Sequence, residues 1–233
     1  MTGFFIFDGK CSKDFGLYIS GGGTFGTPKR DVTKISIPGK NGNLIIDNGK
    51  FENIVVTYPA FIRHKFKDYA KEVREWLGSR SGYFKLQDNY NPDYYRMASF
   101  SGPLDFDTRV LNQSGECNIS FECKPQRFLV IGDSPIEVKG PMVLYNPTPF
   151  AAFPLIRVYG SDGNVLIGDS VMQISSIDEY VDLDCEIQNA YKGTVNCNEN
   201  VSNVFPTLPA GEVGVKFEGN ITKLEIIPRW WSI

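Results

Sequence analysis

The chain has 233 residues, 42% of them hydrophobic and 22% charged, with 24 basic residues against 27 acidic ones. These proportions exclude collagen-like, coiled-coil and wholly disordered chains, and a net charge of −3 argues against a dedicated nucleic-acid binder, which would carry a basic face. Aromatic residues reach 13%, with 17 Phe and 11 Tyr, a composition that favours strands over helices.

The opening Met1 to Asp8 has no basic segment and reaches Asp8 too early for a secretion signal. No window approaches the roughly twenty consecutive apolar residues of a membrane span. The expectation is synthesis in a cytosol. Five scattered cysteines, Cys11, Cys117, Cys123, Cys185 and Cys197, agree with this: no pair has zinc-knuckle spacing, and His64 alone cannot complete a cysteine–histidine set. They read as reduced thiols, mostly buried.

Gly21-Gly22-Gly23-Thr24-Phe25-Gly26 matches the dinucleotide-binding glycine pattern literally, and Asp47 follows at a plausible distance. That pattern needs a helix whose N-terminus meets the pyrophosphate. Pro28, Val32, Thr33, Ile35, Ile37 and Pro38 follow instead, a strand-and-loop sequence, so a loop is expected and no cofactor site. Gly39-Lys40-Asn41-Gly42 lacks the flanking residues of a P-loop and reads as a turn. Leu44-Ile45-Ile46, then Asp47-Asn48-Gly49, then Asn53 to Tyr58 reads as a hairpin turning at Asn-Gly.

From Ala60 to Leu77, apolar Ile62, Phe66, Tyr69, Ala70, Val73, Trp76 and Leu77 recur at helical spacing between Pro59 and Gly78. One helix near 60–77 is expected to lie on a sheet, with Arg63, His64, Lys65, Lys67 and Lys71 on its solvated face. His64, with no acid or nucleophile nearby in sequence, is a poor general base. Tyr94 to Phe100 and Cys117 to Cys123 alternate as strands do.

Turn residues crowd between Lys124 and Tyr145, and the domain boundary is expected there, giving units 1–140 and 141–233. Beyond it, Leu155 to Tyr159, Val165 to Ile167, Val171 to Ile174, Tyr180 to Leu183, Val213 to Phe217 and Ile221 to Ile227 have the spacing of an antiparallel sandwich. The fold class is therefore mainly β: an N-terminal sheet or barrel-like domain carrying one helix, then a C-terminal β-sandwich.

Chemistry is sparse. The acid pairs Asp105/Asp107, Asp178/Glu179 and Asp182/Asp184 lack a shielded cleft or a calcium-loop pattern and read as exposed edge or loop acids. Asn-X-Ser/Thr triplets at Asn112, Asn118, Asn200 and Asn220 have no secretion signal to make them acceptors. Of Trp230 and Trp231, which face opposite ways on a strand, one is expected in the core and the other on a neighbour, with a sugar platform as the lesser reading. No catalytic, cofactor-binding or metal-binding residue is assigned, and the ligand-binding residues are unknown.

The order of motifs along the whole chain resembles the distal tail (Dit) family of long-tailed phages with non-contractile tails, siphophage baseplate hubs. Phe5-Ile6-Phe7-Asp8-Gly9-Lys10-Cys11-Ser12-Lys13-Asp14-Phe15-Gly16-Leu17 resembles the family's opening strand and its S-x-D-F-G-L turn. Ile37-Pro38-Gly39-Lys40-Asn41-Gly42 is similar to its IPGRNG loop, with Lys for the commoner Arg. Trp76-Leu77 with Gly82-Tyr83-Phe84-Lys85-Leu86-Gln87-Asp88 resembles its WL…GYxKLxD segment. Pro92 to Ala98 and Phe121 to Pro125 continue the series, as do Asn146-Pro147-Thr148, Phe153 to Gly160, Phe205 to Leu208 and Pro228 to Trp231.

The resemblance implies a non-enzymatic structural protein without cofactors, its C-terminal sandwich galectin-like. It implies a homohexameric ring at the distal end of the tail tube, joining the major tail protein to the tail-tip or tail-associated lysin hub. Receptor-binding proteins or host cell-wall saccharide are further partners it suggests. DNA passes only in transit, without sequence readout, and the protein resides in the virion after synthesis in the host bacterial cytoplasm. The alternative function is a cell-wall carbohydrate-binding adhesion module acting through the C-terminal sandwich. The chain is short for the family and has no large insertion, which argues against the extra carbohydrate-binding modules of some relatives.

Overall fold

The computed structural model describes residues 3–21, 26–109, 113–202 and 204–233. Gly22 to Phe25 of the glycine run and Asn112 of the first triplet lie outside them. The chain forms two units, 1–127 with Ile233, and 128–232. The division falls within the turn-rich stretch from Lys124 to Tyr145 but ahead of position 140. Ile136–Val138 is a strand, and it pairs with residues 224–226, which ties it to the second unit.

In the first unit the strands are β1 (Phe5–Phe7), β2 (Lys10–Cys11), β3 (Leu17–Ile19), β4 (Arg30–Ser36), β5 (Asn43–Phe51) and β6 (Ile54–Ile62). After α1 (Phe66–Gly78) come β7 (Phe84–Asp88), β8 (Tyr94–Ser99), β9 (Asp107–Arg109) and β10 (Ser114–Leu129). One sheet runs β2-β1-β7-β8-β10-β6-β3, with β9 on β10. Alternation sets its faces. Cys117, Ile119, Phe121 and Cys123 of β10 and Val56, Tyr58, Ala60 and Ile62 of β6 point into the core, while the residues between them point out.

The helix covers that inner face with Phe66, Ala70, Val73, Trp76 and Leu77. Trp76 stacks on Phe15 (ring centroids 4.4 Å apart) and on Phe5 (5.7 Å), and Phe5 stacks in turn on Tyr58 (5.7 Å), an aromatic column from the 3-10 turn at Ser12–Phe15 into the sheet. The helix starts later than its apolar spacing predicts. Ala60 and Ile62 continue the period-two burial of β6, and Lys65, at φ 49°, breaks the chain before Phe66. Arg63, His64 and Lys65 therefore precede the helix, and only Lys67 and Lys71 lie on its exposed face.

The expected hairpin from Leu44 to Tyr58 is replaced by another. Strand β5 pairs with β4, and the Ile37 to Gly42 segment makes the turn, with Gly39 and Gly42 at positive φ. Asp47-Asn48-Gly49 stays inside β5 at an irregularity in the β4–β5 register, where the Gly49 N–H donates to Asp47 Oδ1 (2.9 Å). An Asn-Gly pair satisfies a bulge as readily as a turn, since both need positive φ.

In the second unit, β11 (Ile136–Val138), β12 (Met142–Asn146), β13 (Leu155–Ile167), β14 (Ser170–Ile174), β15 (Tyr180–Asp184), β16 (Asn189–Lys192) and β17 (Val195–Asn196) are followed by β18 (Gly211–Ile227) and β19 (Trp231–Ser232). The sheet order is β11-β18-β13-β15-β16-β17, with β12 on β18 and β14 on β13. Several expected short strands merge: Leu155–Tyr159 and Val165–Ile167 are two halves of β13, and Val213–Phe217 and Ile221–Ile227 two halves of β18.

The halves separate where the β13–β18 register shifts around Gly160 and Gly163. A Cβ on Gly160 would run into the backbone of Asn220 and Ile221, and its φ of 139° suits glycine alone. On either side of this bulge the pairing of β13 changes, with β15 on residues 155–159 and β14 on residues 163–167, and Ile156, Val158, Val165, Ile167, Met172, Leu183, Val215 and Leu224 belong to one core. Within the described residues no helix is long and apolar enough to cross a membrane.

Candidate assembly interface

The residues that the sequence singles out for chemistry are used for structure. Asp182 and Asp184 are buried (6% and 9% exposed), which corrects the expectation of exposed edge acids. Strand β15 sits between β13 and β16, and each carboxylate meets an arginine two-pronged. Arg157 donates from Nε to Asp182 Oδ1 (2.7 Å) and from Nη2 to Oδ2 (2.8 Å); Arg229 donates from Nη1 and Nη2 to the two oxygens of Asp184 (2.8 and 3.1 Å). Such pairs fix geometry and engage both oxygens of each acid. The Asp182 hydrogen bonds hold the Arg157 guanidinium above its usual pKa. Asp178 and Glu179, by contrast, are exposed and share Lys192.

Trp230 is buried in the second unit's core. Trp231 stacks on Phe150 (4.4 Å) and donates from its indole N–H to the Ala151 carbonyl (3.0 Å). Both indoles are thus engaged within their own unit. His64 is exposed, its ring edge-on to Tyr69 at 5.9 Å between centroids. Cys117, Cys123 and Cys185 are buried, and burial pushes each thiol up to about 12. Such thiols are poor nucleophiles at neutral pH. All five cysteines are free, and within the described residues no three His, Cys, Asp or Glu side chains gather to hold a metal.

What the first unit presents to solvent is an arm. Strands β4 and β5 pair with one another only, as a separate two-stranded sheet. Their register puts Thr33 opposite Ile46 and Ile35 opposite Leu44 on one face. Ile35, Ile37, Leu44 and Ile46 are 42%, 37%, 50% and 45% exposed. The other face mixes Lys34, Ser36 and Asn43 with Val32 and the exposed Ile45, and towards the base Arg30 pairs with Asp47 (2.7 Å), Lys29 with Glu52 (3.0 Å) and Lys50 with Asp31 (3.3 Å). The Asn48 amide lowers the Asp31 pKa, with Lys50 adding to it, and the Gly49 N–H lowers that of Asp47. Exposed pairs of this kind add little stability. An isolated two-stranded hairpin is marginal in water, and each large aliphatic side chain gains about 1.5–3 kcal/mol when fully buried. The arm is built to be covered.

The same unit also exposes the outer face of its main sheet. Tyr18 of β3, Phe61 of β6 and Glu116 of β10 stand in one cross-strand row, followed by Pro59 with Asn118 and Thr57 with Ser120. The Thr57 and Ser120 hydroxyls share a hydrogen bond (2.8 Å). Between this face and the 102–107 segment is a groove of about 580 Å³, lined in part by Pro59, Phe61, Pro103, Asp105, Asp107 and Glu116. Sequence reasoning missed the arm because alternation in a strand predicts that its apolar face meets the chain's own core.

No protein-family model matches the chain, and no curated protein matches it in sequence. Solved structures do. The SPP1 Dit protein, described as a paradigm of the hub adsorption apparatus in phages infecting Gram-positive bacteria, superposes with a TM-score of 0.73 over 97% of this chain and 98% of that one, at 11% identity. The chain has the Dit hub fold. A chain of the phage p2 baseplate in its activated conformation is also similar, at TM-score 0.55, 8% identity, and coverage of 97% and 96%. At such identities the likeness is one of fold, and the Dit fold extends over both units. The Ile37 to Gly42 segment, which resembles the Dit family's IPGRNG loop, forms the tip of the arm.

Proposed function

We propose that this chain is a structural component of a phage tail tip. Six copies form a ring at the distal end of the tail tube, between the major tail protein and the tail-tip or tail-associated lysin hub, and the ring leaves an opening through which DNA is ejected. The observation that carries this reading is the coverage of the Dit fold, 97% of this chain against 98% of the SPP1 protein, without a missing element large enough to remove either unit. The exposed apolar face of the β4–β5 arm supports it, because a face of that kind is stable only against another surface. A closed ring also leaves no copy of the contact unfilled at an end, which prevents open-ended polymerisation.

The first unit supplies the ring contacts, and the second, a galectin-like sandwich, faces neighbouring baseplate components. A chain with a net charge of −3 would not hold a passing nucleic acid tightly, which agrees with transit and not with binding. The protein is non-enzymatic, needs no cofactor, and resides in the virion after synthesis in the host cytoplasm. The competing reading, a saccharide-binding adhesion module, loses its tryptophan platform, since Trp230 is buried and Trp231 stacks on Phe150. Electron microscopy of the purified protein tests the proposal. Six-fold rings are expected, and a protein that remains monomeric up to high concentration contradicts it.

A further inference from the structure

One small cavity of the first unit gathers more positive charge than it balances. It measures about 20 Å³, with Asp88, Asn91, Arg96 and Arg127 among its polar walls and Tyr58 and Tyr94 among its aromatic ones. Arg96 lies on β8 and Arg127 on β10, neighbouring strands of one sheet. Arg96 donates from Nη1 to the Pro125 carbonyl (3.0 Å). Arg127, stacked over the Tyr94 ring at 4.4 Å, reaches Asn91 Oδ1 from Nη2 only at 3.5 Å. A guanidinium carries more N–H donors than these contacts use. The carboxylate of the wall, Asp88, is turned to other donors: Oδ2 accepts from the Tyr58 hydroxyl (2.7 Å), and Oδ1 from the Tyr90 and Asn91 N–H groups (3.0 and 2.9 Å). Within the described residues neither arginine has a carboxylate at ion-pair distance. Burial lowers the Arg96 pKa, and the charge of Arg127 lowers it further.

We propose that this cavity binds one small monovalent anion, of the size and charge of chloride, between the guanidiniums of Arg96 and Arg127. The charge count asks for it: two guanidiniums and one carboxylate leave a single positive charge, which one such anion cancels. The volume agrees. A water-sized particle needs about 10–15 Å³, so a cavity of about 20 Å³ takes one small ion and excludes a phosphate or a sugar acid. Like charges brought together in a half-buried site oppose folding, and a counter-ion shared between them relieves the repulsion. Bound there, the anion ties β8 and the end of β10 to the turn between β7 and β8. The site does not depend on the tail-tip reading, since every wall residue belongs to the first unit.

The test is thermal melting of the full chain in sodium chloride and in sodium gluconate at equal ionic strength, gluconate being too large to enter. Chloride at about ten times its dissociation constant should raise the parent's melting temperature by about 3 °C or more relative to gluconate. Arg127→Gln removes one positive charge from the site and should erase that difference. In gluconate the variant should melt no lower than the parent, because it no longer holds two like charges together. The same two salts on the variant also account for any effect they have on the rest of the fold. A second measurement locates the ion: crystals grown in sodium bromide should show anomalous scattering from a bromide between Arg96 and Arg127. A parent that melts alike in both salts, or a variant destabilised equally in both, overturns the proposal and leaves the arginines as ties to Pro125 and Asn91. Bromide scattering without a chloride-dependent melting shift marks an adventitious ion only and overturns it too.

Discussion

Cys117, Cys123 and Cys185 show how thoroughly burial governs the reactive side chains here. Each thiol is held protonated up to about 12, against an ordinary value of 9.0, because the thiolate cannot be solvated in the core. A raised thiol pKa contributes stability below the unfolded value and loses it as pH rises through the folded one. Urea unfolding followed by fluorescence should therefore show stability falling as pH climbs from about 9 toward 12. In the same protein at pH 8, a thiol reagent should label the half-exposed Cys11 and Cys197 first and the three buried cysteines only on unfolding. Equal labelling of all five would contradict the buried assignment. That most cysteines are buried and reduced was legible from their scatter. The pairing of Asp182 and Asp184 with Arg157 and Arg229 was not. Arg157 lies opposite Asp182 only once β13 and β15 are in register, and nothing local in the sequence specifies partners 25 residues apart.

Among the elements, β10 was the plainest, because seven residues from Cys117 alternate without a break and burial follows them. The helix start and the hairpin were misread for a shared physical reason. Ala60, Ile62 and Phe66 fit both a period of two and a period of 3.6, and the contact of β6 with β10 and β3 decides for the strand. Asp47-Asn48-Gly49 supplies positive φ, which a turn and a bulge require alike. The bulge that bends β13 gives an element-scale prediction. Gly160→Ala sets a methyl against the backbone of Asn220 and Ile221 at a φ unfavourable to alanine, and should destabilise the second unit by about 1–3 kcal/mol in urea unfolding. The arm gives the opposite kind of prediction. Leu44→Ser with Ile46→Ser changes exposed positions, so unfolding should shift by no more than about 0.5 kcal/mol per site. On the proposed reading the same double variant should associate at least about tenfold more weakly in light scattering, since it removes exposed apolar surface that a neighbour would cover. A large loss of fold stability would mean that the arm packs on its own chain.

For the whole molecule, the mainly β class could be read from strand spacing and turn density. The division at Arg127 could not be placed to the residue, because Ile136–Val138 joins the second unit by pairing with residues far along the chain. Colinear short motifs pointed to the Dit family, each of them weak alone, and the fold agrees over nearly the full length of both chains. What distinguishes the molecule is where its unsatisfied surface lies. Asp182 and Asp184 are buried and paired with arginines and three of the thiols are buried, while an apolar, lysine-bearing hairpin is exposed. On the proposed reading such a protein acts by matching its faces to those of further copies. Its mass in solution measures that most directly. Native mass spectrometry of the purified chain, 26.1 kDa as a monomer, should show a dominant species of roughly 157 kDa, six copies, at micromolar concentration and low salt. A single 26.1 kDa species across the whole concentration range would contradict the account.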